Sequence, residues 1–525
     1  MTDGKAVVND AHRPRNLVVV LLDSLNRHML AAYGDPTFAT PHLDRFAAES
    51  VRFDRHYVGS LPCMPARHDL LVGSLDFLWR PWGSIEVWEE AITYELRRAG
   101  VVTALVSDHP HLFETGGENY HTDFHTWEYL RGSENDPWRL IPDPTAVGTP
   151  DIPAARPAPF PRAYDTARSW FRAEPDFPGP RTMAAAADWV RHHADLDDRF
   201  LLFIDEFDPH EPFDTPEPWA SMYDPGWEGP KLIWPLYSRN GVGGGHLTEA
   251  EGRQLRASYG AGLSMIDAWF GHLLEVLDAT GRADDTAVVV CTDHGHYLGD
   301  TDPEGRDLWG KPAAPLYEPL AHTPLFVRWP GRPAGVYDEL TTNVDIHATI
   351  ADLFDVEVGH RTHGRSLIPA LEGKPEPARP WVLAGYWGQW VNIITGDRRK
   401  YARSFVGDHN GPLSMWSNRW STMPLPIDHS YRIPRPDRRA TLEFMPGSDN
   451  PVIRQPFEPG DELPYWARGT GGNDHHLFHL GDDPHEIENR AGDDARSEAE
   501  MAEQLRVALL ELEAPADQLE RLGLA

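Results

Sequence analysis

Cysteine is scarce in this sequence, and so are long apolar runs and positive charge. Cys63 and Cys291 are its only two cysteines, so one bridge is arithmetically possible but a disulfide framework is excluded. Residues 1–16 are polar and charged, and the first apolar run, residues 17–22, is too short for a signal-peptide core or a membrane span. These features predict a cytoplasmic protein that does not cross a membrane.

The charge balance is strongly acidic. The chain carries 81 acidic against 48 basic side chains, a formal net charge of -33, and such a surface repels the phosphate backbone of nucleic acids. The same excess would repel an anionic ester, so a substrate of that kind needs a local positive site. A metal ion together with arginine, lysine and histidine could supply that site. Hydrophobic residues make up 41% of the chain, which supports a sizeable core.

Short apolar runs rich in β-branched residues alternate with helical patterns. The runs read as strands buried on both faces, as in a parallel sheet, and they occupy residues 17–22, 199–205, 287–292 and 324–329. Apolar residues at three- and four-residue spacing predict helices at residues 247–278 and 343–354. Strands that alternate with helices indicate an α/β fold with a doubly wound sheet.

The pattern changes after about residue 380. Short antiparallel strands are predicted within residues 381–405, and a closing helix at residues 495–512. These segments predict a smaller α+β domain at residues 381–525, following a catalytic α/β domain at residues 1–380. Residues 141–162 are dense in proline and predict an extended arm or surface loop.

Side chains able to bind a cation follow three of the predicted strands. The first run ends at Asp23, the second at Asp205, and the third is followed by Asp293-His294-Gly295-His296. In an open α/β sheet, chemistry collects beyond the carboxyl ends of the strands, so we expect these residues to converge on one edge. The glycine would permit a tight bend there.

A five-residue motif supplies a candidate nucleophile. Cys63-Met64-Pro65-Ala66-Arg67 has the form C-x-P-x-R, and Pro65 suits the first turn of a helix that continues through residues 69–72. Cys63 would then lie at a helix N-terminus, where backbone N–H groups favour an anion. The motif resembles the recognition sequence by which a cysteine is oxidised to formylglycine in type I sulfatases, and the chain is similar to that family.

Further landmarks of the family occur in family order. They are Thr40-Pro41-His42-Leu43-Asp44, Asn343-Val344-Asp345-Ile346, Gly364-Arg365-Ser366-Leu367 and the segment from His479 to Asn489. The resemblance implies the alkaline-phosphatase-like fold, with a large, mixed but mostly parallel sheet flanked by helices. The Asp293-His294 pair resembles choline sulfatases and phosphonate monoester hydrolases, whereas classical arylsulfatases more often have Asp-Asn.

The resemblance also implies one divalent cation, held by Asp23, Asp293, His294 and the formylglycine made from Cys63. Oxygen ligands favour Ca²⁺, and the imidazole also allows Mn²⁺. Many family members carry a second aspartate after Asp23, where this chain has Ser24. That second ligand is either lost, or Ser24 only caps the following turn.

Three basic residues match family positions that stabilise charge. Arg67 would hold the nucleophile in register and help to neutralise the anion. Lys311, one of a handful of lysines, stands where the family has a lysine that contacts the sulfate and the leaving oxygen. His210 matches a histidine that could donate a proton to the departing alkoxide.

Weaker candidates for substrate binding are His109, His111 and His296. The first two fall where arylsulfatases place a glycine-lysine-x-histidine element, but that lysine is missing and Asp108 stands near its place. The departure bears on arylsulfatase activity more than on the fold.

The sequence therefore predicts an enzyme that hydrolyses a small anionic sulfate ester after a formylglycine-generating enzyme has oxidised Cys63. A phosphonate or phosphate ester hydrolase on the same scaffold is the first alternative, since sulfate and phosphate esters are alike in size and geometry. A non-catalytic binding protein that retains the fold is the second. A homo-oligomer is compatible with the sequence.

Overall fold

The computed structural model describes residues 13–145, 160–312, 314–420, 436–467 and 474–525. Within these ranges the helices are α1 Pro41–Ala48, α2 Cys63–Val72, α3 Ile92–Arg98, α4 Phe160–Arg168, α5 Pro178–His192, α6 Glu249–Ala279, α7 Glu318–Ala321, α8 Asn343–Phe354, α9 Ile368–Leu371, α10 Ala495–Glu511 and α11 Ala516–Arg521. The strands are β1 Asn16–Leu22, β2 Val51–Phe53, β3 His56–Tyr57, β4 Ser60–Leu61, β5 Val102–Ser107, β6 Thr126–Tyr129, β7 Phe200–Glu206, β8 Thr286–Cys291, β9 Tyr297–Thr301, β10 Asp307–Gly310, β11 Phe326–Arg328, β12 Gly335–Tyr337, β13 Thr341–Thr342, β14 Trp381–Tyr386, β15 Val391–Thr395, β16 Arg399–Arg403, β17 Leu413–Ser417, β18 Thr441–Phe444, β19 Pro451–Phe457 and β20 His476–His479.

A large sheet with the strand order β12-β2-β11-β8-β1-β7-β5-β6 forms the centre of the described structure. Strands β8, β1, β7, β5 and β6 run parallel to one another. Helices cover both faces, so the architecture confirms the predicted α/β class with a mixed, mostly parallel sheet. One strand was predicted wrongly: β11 is shorter than residues 324–329 and runs antiparallel to both neighbours. An apolar run indicates burial but carries no information on strand direction.

The central strands are buried because each face has its own core. Val18, Val20 and Leu22 of β1 pack with residues of α5 and α6 on one side. The alternate residues, Leu17 and Val19 among them, pack with residues of α2, α3 and α8 on the other. Successive side chains of a strand point to opposite faces of the sheet. When both faces are covered, nearly every residue of the strand is therefore apolar, as in residues 17–22.

A second sheet has the strand order β20-β16-β15-β14-β4, and most of its strands belong to the C-terminal part of the chain. Its edge strand β4 comes from residues 60–61 and pairs in parallel with β14, so the segment before α2 is anchored on this sheet. The boundary at residue 381 stays a prediction. The polar stretch beyond β16 forms a small sheet in the order β17-β19-β18, which the sequence did not indicate.

The proline-dense arm was predicted in part wrongly. Residues 160–162 begin α4 rather than continuing an extended segment, and residues 146–159 lie outside the described residues. Cys63 and Cys291 are both free thiols, so no bridge joins them. None of the helices in the described ranges combines the length and apolar character needed to cross a membrane.

Candidate active site and cation-binding residues

Three parallel strands deliver carboxylates to one edge of the central sheet. Asp23 follows β1 directly, Asp205 is the penultimate residue of β7, and Asp293 comes two residues after β8. In the ladder Leu21 pairs with both Asp205 and Cys291, so the three strands end level with one another. All three carboxylates are buried. The convergence that the sequence predicted is therefore present.

Cys63 enters this edge as the first residue of α2, as the motif predicted. Asp69, six residues further along the same helix, holds the preceding strand β4 in place. Its carboxylate accepts hydrogen bonds from the backbone N–H and the hydroxyl of Ser60 at 2.6 and 2.7 Å. The thiol is buried, and burial together with the neighbouring Asp23 and Asp293 carboxylates raises its pKa well above the usual value, against the opposing charge of Lys311. The side chain as it stands is thus a neutral thiol.

Four residues, Asp23, Cys63, Asp293 and His294, each offer one ligand atom, and these atoms all lie within 4.8 Å of one another. Nδ1 of His294 lies 2.9 Å from the carbonyl oxygen of Gly295, so it donates its proton there, and Nε2 faces the Cys63 sulfur at 3.3 Å. Burial lowers the pKa of His294, which keeps the ring neutral with a lone pair available for a metal ion. Carboxylate oxygens and a neutral imidazole are donors that suit a divalent cation, so the group fits the implied ion.

Glycine is required at position 295 because the backbone of α7 lies against it. A Cβ at this position would lie 1.9 Å from the carbonyl oxygen of Pro319, and the Gly295 N–H donates to the Leu320 carbonyl at 2.9 Å.

Ser24 stands where many sulfatases carry a second aspartate, so this chain has no second carboxylate directly after Asp23. Ser24 has a positive φ of 62° and its hydroxyl donates to Asp23 at 2.8 Å, while its N–H donates to Asp293 at 3.0 Å. Ser24 therefore orients both carboxylates.

Arg67 lies at the centre of the carboxylates, and its guanidinium is 1% exposed. All five of its N–H donors are used: two reach Asp205 at 2.8 and 2.6 Å, one reaches Asp23 at 2.9 Å, one reaches Asp293 at 2.8 Å, and one reaches the Cys63 carbonyl at 3.1 Å. One cation thus faces three carboxylates, which leaves a local negative excess. In this arrangement no N–H of Arg67 remains for a substrate, so it holds the nucleophile in register.

Lys311 and His210 meet beside the thiol. The Lys311 ammonium donates to Nε2 of His210 at 2.8 Å and lies 3.8 Å from the Cys63 sulfur. Nδ1 of His210 lies 2.7 Å from the Glu211 carbonyl oxygen and donates to it. Gly310, with φ of 70°, precedes the lysine, and a Cβ there would lie 2.2 Å from the ring of Tyr237. The pair is placed to contact an anion carried by residue 63.

The weaker candidates occupy different surroundings. His109 lies 3.5 Å from Asp23 and is fully buried with both ring nitrogens unbonded among the described residues. His111 pairs with Glu114 and, at 3.3 Å, with Glu134. Burial alone would lower the pKa of His111, but the two glutamates raise it to about 10.

His296 is not one of the four residues grouped as cation ligands. It packs edge-on against Phe213 at 5.6 Å, is fully buried, and its ring nitrogens also lack partners among the described residues. Burial lowers its pKa well below the usual value. Asp108, at the place of the missing lysine, accepts from the Phe207 N–H and the Ser133 hydroxyl, both at 2.9 Å, and burial raises its pKa to about 7.

Sequence reasoning left two residues of this site without a role. Asp205 was recognised as a strand end, yet its bidentate contact with Arg67 was not foreseen, although its place beside Asp23 was a signal. Glu134, the partner of His111, lies in an irregular segment with a positive φ of 42°, and no sequence pattern indicates it.

Comparison with known proteins is consistent with this geometry. Residues 15–356 match the sulfatase family model. The chain is 27% identical over 380 residues to the choline-sulfatase of Rhizobium meliloti (strain 1021), covering 68% of this chain and 72% of the relative. It is 25% identical over 502 residues to human N-acetylgalactosamine-6-sulfatase, covering 91% of this chain and 81% of the relative. The phosphonate monoester hydrolase of Agrobacterium radiobacter superposes with a TM-score of 0.63 at 18% identity over 96% of both chains, a likeness of fold.

Proposed function

Because the chain belongs to the sulfatase family, we propose that it hydrolyses a sulfate ester with a formylglycine nucleophile formed by oxidation of Cys63. One observation carries this proposal. Cys63 is the first residue of α2 in a C-x-P-x-R motif, and its sulfur lies 3.3 Å from His294 and 3.8 Å from Lys311. A neutral buried thiol is a poor nucleophile, whereas an oxidised side chain at the same place would meet both a cation site and a positive charge.

The residues that would hold the cation are Asp23, Asp293, His294 and the side chain of residue 63. When bound, a divalent cation would polarise the ester and lower the pKa of the aldehyde hydrate. Oxygen donors from two carboxylates and the hydrate favour Ca²⁺, and Mn²⁺ is compatible with the imidazole. The excess of carboxylates over the single Arg67 guanidinium supports the presence of such an ion.

An aldehyde hydrate supplies two hydroxyls: one loses its proton and bonds to sulfur as the ester S–O bond breaks, and the other, once the Asp293 carboxylate has taken its proton, expels sulfate as the aldehyde re-forms. Lys311 is placed to bind the sulfate oxygens and to stabilise charge on the leaving oxygen. Nε2 of His210, which lies beside Lys311, would take the proton that the attacking hydroxyl loses and deliver it to the departing alkoxide. Arg67 keeps residue 63 and the carboxylates in register. His109 would contact the anion from the side of Asp23.

A phosphonate or phosphate ester hydrolase on the same scaffold is the second candidate. The Asp293-His294 pair resembles both choline sulfatases and phosphonate monoester hydrolases, and the fold likeness to one of the latter is compatible with this alternative. Sulfate and phosphonate monoesters place a tetrahedral centre at the same point, so the nucleophile alone does not separate them. Absence of turnover across a broad panel of esters would instead favour a non-catalytic binding protein.

The proposal is tested by co-expressing the chain with a formylglycine-generating enzyme and measuring two quantities. We expect the peptide that contains residue 63 to be lighter by about 18 Da, the signature of this covalent change. We expect the rate on an aryl sulfate to exceed the rate on the matched aryl phosphonate monoester. The reverse ratio would assign the second candidate.

The two cysteines provide a matched pair of variants. Cys63→Ala should lower kcat/KM by a factor of about 1000 or more, since it removes the nucleophile. Cys291→Ala, which alters a buried cysteine of β8 outside the site, should leave kcat/KM within about tenfold of the parent. Full activity in the Cys63 variant would overturn the proposed nucleophile.

A further inference from the structure

A cavity of about 420 Å³ lies outside the candidate active site. Its walls come from the segment after Asp23, the β2–β3 connection and α7, and its lining includes Arg27, Arg55, Asp54, Glu318 and Asp338. A second cavity of about 480 Å³ adjoins it and shares the wall residues His28, Tyr33, Glu318 and Pro484. The proposed ester hydrolysis uses none of these residues.

The carboxylates of this cavity are already neutralised by other cations. Asp54 is paired with Arg52 at 2.6 and 3.1 Å, and Asp338 with Arg398 at 3.0 and 2.9 Å. Glu318 bonds to the buried ammonium of Lys400 at 3.1 Å, to the Tyr57 hydroxyl and to His322, and Glu486 shares the same ammonium at 2.9 Å. Each carboxylate that lines the cavity therefore has a cationic partner other than Arg27 and Arg55.

Of the three arginines that line the cavity, Arg398 is paired with Asp338, whereas Arg27 and Arg55 have no carboxylate partner in the described part of the chain. Arg27 donates to the Asp54 carbonyl at 2.8 Å, contacts His322 and lies over the Tyr33 ring at 4.0 Å. Arg55 donates to the carbonyls of Thr395 and Gly396 at 2.8 and 3.1 Å. Within the described residues, neither guanidinium lies within 4.0 Å of a carboxylate oxygen. Their remaining N–H donors are available to a bound anion.

The two histidines of the cavity are uncharged at neutral pH, because burial lowers the pKa of both. Burial, and after it the proximity of His322 and Arg27, lowers the pKa of His28 to about 4. Burial and Arg27 likewise lower the pKa of His322. Nε2 of His28 is buried without a hydrogen-bond partner in the described part of the chain. In a chain of net charge -33, two uncompensated guanidiniums beside an unbonded imidazole nitrogen form a local positive site.

We propose that this cavity binds a small tetrahedral oxyanion, sulfate or phosphate, at the guanidinium groups of Arg27 and Arg55. Two planar forks that converge on one cavity match the several acceptor oxygens of such an anion. The site is a binding site separate from the candidate nucleophile. The cavity is nevertheless close to that centre, because Arg27 follows Asp23 by four residues and Pro319 of α7 lies against Gly295.

The test is equilibrium dialysis of the full chain against radiolabelled sulfate at constant ionic strength. Arg27→Gln and Arg55→Gln should each weaken one sulfate site by about tenfold, through loss of charge-assisted hydrogen bonds. Arg45→Gln, an exposed arginine of α1 outside the cavity, changes the net charge equally and should bind sulfate as the parent does. Unchanged binding in both cavity variants overturns the proposal.

Crystals of the unaltered chain soaked in selenate provide a measurement that needs no variant. A selenium anomalous peak should appear between Arg27 and Arg55, and selenium found only beside residue 63 would contradict the proposal. Dialysis of Cys63→Ala separates this site from the catalytic proposal, because sulfate binding in the cavity should persist whether or not the chain hydrolyses esters.

Discussion

Replacing Arg67 by lysine tests whether this guanidinium organises the candidate active site. The substitution keeps the positive charge but offers three donors in place of five, all five of which are used by Asp205, Asp23, Asp293 and the Cys63 carbonyl. Two charge-assisted hydrogen bonds are lost, each worth about 1.5–3 kcal/mol, so we expect Arg67→Lys to lower the free energy of unfolding by about 3–6 kcal/mol.

The assay is urea denaturation followed by tryptophan fluorescence. A chelator is present so that no bound metal ion offsets the loss of stability. Arg45→Lys provides the control, because an exposed arginine exchanged for lysine should change stability by less than about 0.5 kcal/mol. A loss below about 1 kcal/mol for Arg67→Lys would refute the reasoning, since it would mean that the five contacts are not all made or do not matter.

Three further predictions concern metal, proton and register. Ca²⁺ at about 100 times its dissociation constant should stabilise the parent protein by about 2.7 kcal/mol in thermal unfolding, and Asp293→Asn should remove most of that gain. An equal gain in the parent and in the variant would contradict the assignment of Asp293 as a ligand. The pKa of His111 is about 10 in the folded protein against 6.5 in the unfolded chain, so its ion pairing stabilises fully below pH 6.5 and is lost as pH rises through 10. His111→Gln should therefore cost about 2 kcal/mol at pH 6 and little at pH 10, and a pH-independent cost would show that Glu114 and Glu134 do not act through charge. Asp69→Ala removes two hydrogen bonds from Ser60, so it should lower the free energy of unfolding by about 1–3 kcal/mol and should also lower kcat. A loss of stability with an unchanged kcat would show that Asp69 does not position Cys63.

The buried strands could be predicted because their composition leaves little choice. Residues 17–22 are apolar and β-branched, and they lie within β1, which is covered on both faces. The helix at residues 343–354 is confirmed as α8, whose apolar spacing repeats over three turns. The short strands β2, β3 and β4 escaped prediction since two or three residues are too few to show a period.

The candidate site was predictable where it depends on strand ends and less so where it depends on loops. Asp23 and Asp293 follow parallel strands that are neighbours in the sheet, so their carboxylates were expected to lie close together, and in the structure they do. The contact between Arg67 and Asp205 requires knowing how α2 lies across the sheet, which no local pattern encodes. The pairing of His111 with Glu134 joins two loops, whose paths depend on tertiary packing.

The central claim is that Asp23, Asp293, His294 and an oxidised residue 63 share one cation. Anomalous diffraction from crystals of the active, co-expressed protein loaded with Mn²⁺ tests it most directly. The account predicts one strong peak within about 2.6 Å of oxygens from Asp23, Asp293 and the side chain of residue 63, and close to Nε2 of His294. Active crystals whose manganese peak lies away from these atoms would contradict it.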